Sequence, residues 1–69
     1  MSIRLDSMEA VNKLTKGDKI INPKTKERFF IHDVFEEFLI VSTDEERRAI
    51  KLISTPELIS DHWEMEKDN

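Results

Sequence analysis

The protein has 69 residues, a net charge of −4 and no cysteine. A chain of this length forms one small domain with a modest core, and the lack of cysteine excludes disulfide bonds and thiolate metal sites. The N-terminal stretch MSIRLDSMEA lacks the apolar run of a signal peptide, and no segment approaches the roughly 20 apolar residues of a membrane span. We therefore expect a single domain over residues 1–69 that is soluble and cytoplasmic and has no membrane partner.

The charge is distributed unevenly. Residues 13–28 carry six basic and two acidic side chains, whereas residues 29–69 carry eleven acidic and four basic ones. The acidic total disfavours general affinity for nucleic acid, because phosphate binding depends on accumulated positive charge. A local basic patch remains compatible with the sequence.

The first predicted element is a helix over residues 7–16. Asp6 and Glu9 have the spacing of a capping box. Apolar residues then recur at helical spacing, at Met8, Val11 and Leu14. Gly17 supplies the left-handed residue with which helices often end. A helix this short needs packing against the rest of the domain to persist.

The next stretch, GDKIINPKT, predicts a turn, a short strand and a second turn. Gly17-Asp18 is typical of turns, and the β-branched pair Ile20-Ile21 favours a strand. Asn22-Pro23 then favours an extended and turned backbone.

Residues 28–43, RFFIHDVFEEFLIVST, admit two interpretations. Strands over 29–35 and 38–43, with a reversal at Glu36-Glu37, agree with the aromatic and β-branched composition. A helix agrees with an apolar stripe that begins at Ile31 and Val34 and continues at helical spacing. We favour the strands, and the helical interpretation leaves a small all-α bundle as the alternative fold.

The remaining residues predict a strand, one helical turn and a closing edge strand. Residues 48–53, RAIKLI, alternate and place Ile50 and Leu52 on one face. Thr55 suits a helix N-cap and Pro56 the first helical position, which predicts a helical turn through residue 60. The final strand places Trp63 and Met65 on one face, and a frayed tail follows at residues 67–69.

The order of these elements resembles that of the Src-homology-3-like small β-barrels. The resemblance is carried by Lys16-Gly17-Asp18 with Ile20, and by residues 55–60 before Trp63. It implies a barrel of about five short antiparallel strands over residues 17–66, preceded by the short N-terminal helix. Small barrels of this kind serve as interaction domains in bacterial and phage proteins. A proline-rich ligand is not expected, because the chain has no tyrosine and one tryptophan.

No catalytic motif is present in the sequence. It contains no glycine-rich phosphate loop and no nucleophile elbow. His32, Asp33 and His62 have no recognisable metal-ligand spacing. We therefore assign no catalytic residue, no metal, no cofactor and no small-molecule substrate.

Two binding functions follow from the surface chemistry. Both faces of the predicted 29–43 hairpin are apolar, so one face fills the core and the other needs a cover, either from the N-terminal helix or from a protein partner. The leading prediction is a protein-interaction module, either a homodimer or a subunit of a larger assembly, with core or interface anchors at Phe29, Ile31, Phe35 and Phe38. The less favoured prediction is a nucleic-acid-binding accessory protein that uses a basic patch formed by Lys24, Lys26, Arg28, Arg47 and Arg48.

Overall fold

The fold is mainly β. The computed structural model describes residues 2–66, with the backbone alone for Ser2, and these residues form one antiparallel sheet and two short helices. The elements in chain order are β1 (Ser2–Arg4), α1 (Met8–Val11), β2 (Lys19–Ile21), β3 (Arg28–Val34), β4 (Phe38–Thr43), β5 (Lys51–Ser54), α2 (Thr55–Ser60) and β6 (Glu64–Glu66). The mainly β prediction is confirmed, and the all-α alternative is wrong. The tail at residues 67–69 lies outside the described residues.

The sheet is open, whereas a small β-barrel was predicted. Its six strands lie in the order β1-β6-β2-β3-β4-β5, so β1 and β5 are edge strands that do not pair with each other. A barrel requires the two outer strands to pair. Here α1 and α2 contact each other and contribute Val11 and Leu58 to the core. Both helices therefore lie against the core, while the edges of β1 and β5 stay apart.

Strands β3 and β4 form the predicted hairpin, and a β-bulge changes which side chains share a face. Ile31 pairs with Val41, but Asp33 pairs with Ile40, so His32 is an extra residue in β3. Such a residue shifts the side-chain alternation by one position. Val34 therefore packs against the core on the same face as Ile31, whereas simple alternation had placed it on the opposite face.

The core lies between the two helices and one face of the sheet. Twelve apolar side chains are at most 3% exposed: Leu5, Val11, Leu14, Ile20, Phe29, Ile31, Leu39, Val41, Ile53, Leu58, Trp63 and Met65. We call the opposite face of the sheet the outer face. Within the described residues, both helices contribute buried side chains to the core, so they lie on the core side and leave the outer face uncovered.

A buried carboxylate organises the turn before β2. Asp18 is 3% exposed, and its Oδ2 accepts hydrogen bonds from the Thr15 N–H at 2.9 Å and the Thr15 hydroxyl at 3.2 Å. The predicted helix over 7–16 ends at Val11, because Thr15 donates to this carboxylate rather than to a helical carbonyl. Gly17, with φ 97°, belongs to this turn and not to a helix end.

The turn is attached to the centre of the sheet through its backbone. The Gly17 N–H donates to the Ile31 carbonyl, and the Ile31 N–H donates to the Asp18 carbonyl, both at 3.0 Å. The turn therefore positions β2 beside β3 and directs Leu14 into the core.

The two chain ends meet in the sheet. The predicted helical turn at 55–60 is confirmed as α2, although its N-cap is Ser54, whose hydroxyl accepts the Glu57 N–H. The sequence reasoning missed β1, which pairs with β6. As β6 also pairs with β2, it is an internal strand and not the edge strand that was predicted. Trp63 and Met65, which were predicted to share a face, are both buried in the core.

Replacement of Asp18 tests the role of the turn. We expect Asp18→Ala to lower the free energy of unfolding by about 2 kcal/mol, since it removes a buried acceptor of two hydrogen bonds from Thr15. The measurement is urea denaturation, with Asp6→Ala as the control because Asp6 is exposed. Equal stability of the two variants would contradict the proposed role of the carboxylate.

A second pair of variants tests the assignment of the two sheet faces. Ile31→Val removes one buried methylene from a side chain that is 0% exposed and should destabilise the domain by about 1 kcal/mol. Leu52→Ala truncates a side chain that is 64% exposed and should change stability by less than about 0.5 kcal/mol. A larger loss for Leu52→Ala in thermal or urea unfolding would show that the faces are assigned incorrectly.

Candidate protein-binding surface

The outer face of β3, β4 and β5 is apolar and partly exposed. Leu52 on β5 lies beside Ile40 on β4, and Phe30 on β3 lies across from Ser42. Ile50, two residues before Leu52, is 66% exposed and Leu52 is 64% exposed. We name this surface the outer patch and define it as Phe30, Phe35, Phe38, Ile40, Ile50 and Leu52.

The predicted interface residues divide between the core and the surface. Phe29 and Ile31 are 2% and 0% exposed, so they are inaccessible to a partner in this structure. Phe35 and Phe38 flank the two-residue reversal, where their rings stack with centroids 4.9 Å apart. Phe35 is 42% exposed. The predicted pair Phe35 and Phe38 therefore lies at one end of the outer patch.

Sequence reasoning did not select Ile50 and Leu52, the two most exposed large apolar side chains among the described residues. The signal that could have found them is their position on one face of an alternating segment. That segment lies between a polar loop and the helical turn, so few predicted strands remained that could pair with it and cover its apolar face.

The open edge of β5 adjoins the outer patch. The Thr55 N–H donates to the Glu37 carbonyl at 3.0 Å, which continues the register in which Ile53 pairs with Leu39. Because the direction of backbone hydrogen bonds alternates along an antiparallel strand, Lys51 and Ile53 bond to β4. The N–H and C=O of Leu52 therefore point away from β4, toward the unpaired edge.

Three cations lie on β5 or in the loop before it. The Arg47 guanidinium lies 3.8 Å from the centre of the Phe30 ring, and the Lys51 ammonium lies 4.5 Å from the centre of the Phe29 ring. Arg48 is exposed. None of the three forms a salt bridge with any residue between 2 and 66.

The other half of the outer face is charged, and its charged side chains form salt bridges with one another. Asp44 lies 3.5 Å from the Lys19 ammonium and 3.8 Å from Arg28 Nε. Arg28 also forms a salt bridge with Glu66. The outer face is thus divided into an apolar half on β3 to β5 and a salt-bridged half near β2 and β6.

Carboxylates lie beside the basic residues that were predicted to bind nucleic acid. Lys24 and Lys26 lie in the turn between β2 and β3, where the Asn22 side chain accepts the Lys24 N–H at 2.8 Å. A cleft of about 460 Å³ separates this turn from the loop after β4. Four of its lining residues are acidic and two are basic: Glu27, Asp44, Glu45 and Glu46 against Lys26 and Arg28. This lining disfavours a polyphosphate ligand.

His32 contacts neighbouring side chains of the sheet. His32 Nε2 lies 2.7 Å from the hydroxyl of Ser42, and its ring contacts Phe30 edge-on with centroids 5.0 Å apart. Ser42 is 0% exposed, so its hydroxyl is inaccessible to a substrate. Within residues 2–66, no group of three or more histidine and carboxylate side chains is arranged to hold a metal ion. His62 is exposed in the turn before β6.

Within the described residues, no helix has the length and apolar composition required to cross a lipid bilayer. The chain matches no protein-family model, no curated protein and no solved structure. Surface geometry and charge distribution are therefore the observations that bear on function.

Proposed function

We propose that this protein is a non-enzymatic protein-interaction module that binds a partner through the outer patch. The observation that carries the proposal is the two-thirds exposure of Ile50 and Leu52 beside the unpaired edge of β5. A solvated face of an antiparallel sheet normally carries polar side chains. Contiguous exposed apolar side chains are instead typical of surfaces that bind another protein.

The distribution of helices supports this proposal. The sequence left two covers for the second apolar face, the N-terminal helix and a protein partner. Val11 and Leu14 lie in the core, so α1 and the turn after it contribute to the face that is already closed. The outer patch then requires a cover from outside the described residues, and a protein partner supplies one.

The Src-homology-3-like architecture remains a proposal at the level of element order. The features that support it are the Gly17-Asp18 turn before β2 and the helical turn α2 before the last strand. The sheet is open, so the resemblance does not include closure of the sheet into a barrel. A cytoplasmic location also remains a proposal, and the lack of cysteine agrees with a reducing compartment.

Site-specific photocrosslinking tests the proposed surface. A photoreactive phenylalanine derivative placed at position 52, in cells of the source organism, should give discrete covalent adducts with a protein. The same group at position 9, an exposed site on α1, is the matched control and should give none. An adduct of twice the protein mass would identify a second copy as the partner. If positions 50 and 52 both gave no adduct, the proposal would be overturned.

The charge layout predicts that the protein does not bind nucleic acid. A fluorescently labelled single-stranded or double-stranded oligonucleotide should show no change in anisotropy at low salt, because carboxylates surround Lys26 and Arg28. Salt-sensitive binding that disappeared in an Arg47→Ala, Arg48→Ala double variant would favour the nucleic-acid function instead.

A further inference from the structure

We infer that the partner contributes an extended segment of about five residues that alternates apolar and acidic side chains and pairs with the open edge of β5. This inference rests on the proposed function and specifies the chemistry of the partner. Addition of a strand to a sheet edge is a common mode of peptide recognition, in which backbone bonds supply affinity and alternate side chains supply specificity.

The length of the segment follows from the two ends of the open edge. Ala49 has φ 53°, in the left-handed region, so the extended backbone begins after it. Helix α2 begins at Thr55 and ends the edge on the other side. Residues 50–54 are therefore available for pairing, a length of about 17 Å at the usual rise per strand residue.

The alternation follows from the side chains on each face of β5. Ile50 and Leu52 lie on the outer face, so a neighbouring strand that covers them needs apolar side chains on that face. Lys51 lies on the opposite face, where its ammonium reaches the Phe29 ring at the margin of the core. Opposite charges on neighbouring strands are favourable, so the position of the partner nearest Lys51 is best filled by aspartate or glutamate.

Three cations without a salt bridge among the described residues favour an acidic segment, although the protein is itself acidic. Arg47, Arg48 and Lys51 have no salt-bridge partner among residues 2–66, whereas Lys19 and Arg28 are paired with Asp44 or Glu66. Lys51 is thus a cation on the open strand itself, Arg47 and Arg48 lie in the loop that leads to it, and the apolar Ile50 lies between them. An acidic peptide matches both properties, whereas a nucleic acid matches only the charge.

A second copy of the chain fits this edge less well. Antiparallel pairing of two β5 strands brings Leu52 against either Leu52 or Ile50 of the other copy. In both registers the two Lys51 side chains lie on the same face, either diagonal or directly opposite, and like charges at these positions are unfavourable. A charged residue on a short edge strand is also a known means by which proteins avoid edge-to-edge association.

The test uses two synthetic peptides with blocked ends, one containing Val-Glu-Val-Glu-Val and one containing Val-Lys-Val-Lys-Val. Nuclear magnetic resonance titration of the full chain measures their affinity, and hydrogen exchange measures protection of the Leu52 amide. We expect the glutamate peptide to bind about fivefold more tightly than the lysine peptide. We also expect it to slow exchange at Leu52, because that amide gains an acceptor.

Two controls test the charge and the backbone separately. Lys51→Glu, at an exposed position, should reverse the preference between the peptides. A glutamate peptide methylated on the backbone nitrogen of its central residue cannot donate to the Leu52 carbonyl, and its methyl group obstructs pairing, so it should bind more weakly and protect the Leu52 amide less.

The outcomes distinguish this inference from the proposed function. Equal affinity for the two peptides, or no protection of the Leu52 amide by the glutamate peptide, would overturn the inference that the partner contributes an acidic strand. If position 52 still gave protein adducts in the photocrosslinking experiment, the interaction function would remain supported. Self-association in analytical ultracentrifugation with protection of Leu52 would overturn the acidic strand in favour of a second copy.

Discussion

The sheet has apolar side chains on both faces, and the chain has two short helices that cover one of them. This difference between the two faces determines where the core lies and which apolar side chains stay exposed. One face, with α1 and α2, encloses a core that includes Trp63, Leu58 and Ile31. The other keeps Ile50 and Leu52 largely exposed. Burial of apolar area is the main favourable term in both folding and association, so the same property that stabilises the domain leaves a surface suited to binding.

The bulge at His32 decides which residues belong to which face. Without the extra residue, strict alternation would place Val34 outside. With it, Ile31 and Val34 both pack inward, and His32 reaches the Ser42 hydroxyl. The buried Ser42 therefore has a partner without help from solvent. The bulge thus allows β3 to place apolar side chains in the core on one face and both polar and apolar side chains on the other face.

The sequence predicted most elements because their residue types are distinctive. Pro56 and Glu57 identify α2, and the β-branched and aromatic runs identify β3 and β4. The bulge was not predictable, because no glycine marks it. Nor was β1, whose three residues gain their structure from pairing with β6.

The candidate site was predicted in part, for a related reason. Phe29 and Phe35 are equally apolar, and only the register and the helix positions determine that the first is buried and the second exposed. A pattern of alternation shows that two faces exist, but it does not say which of them the helices cover.

The position of β6 has a consequence for synthesis of the protein. Within the described residues, β1 has one neighbouring strand, β6, which is made more than fifty residues later. Until residues 64–66 leave the ribosome, β1 has no strand to pair with and β2 has one bare edge. Trp63 and Met65 are also missing from the core until then. The nascent chain therefore has strands β2 to β5 without a complete core, and we expect the cooperative step of folding to wait for β6, as in other topologies rich in distant pairings.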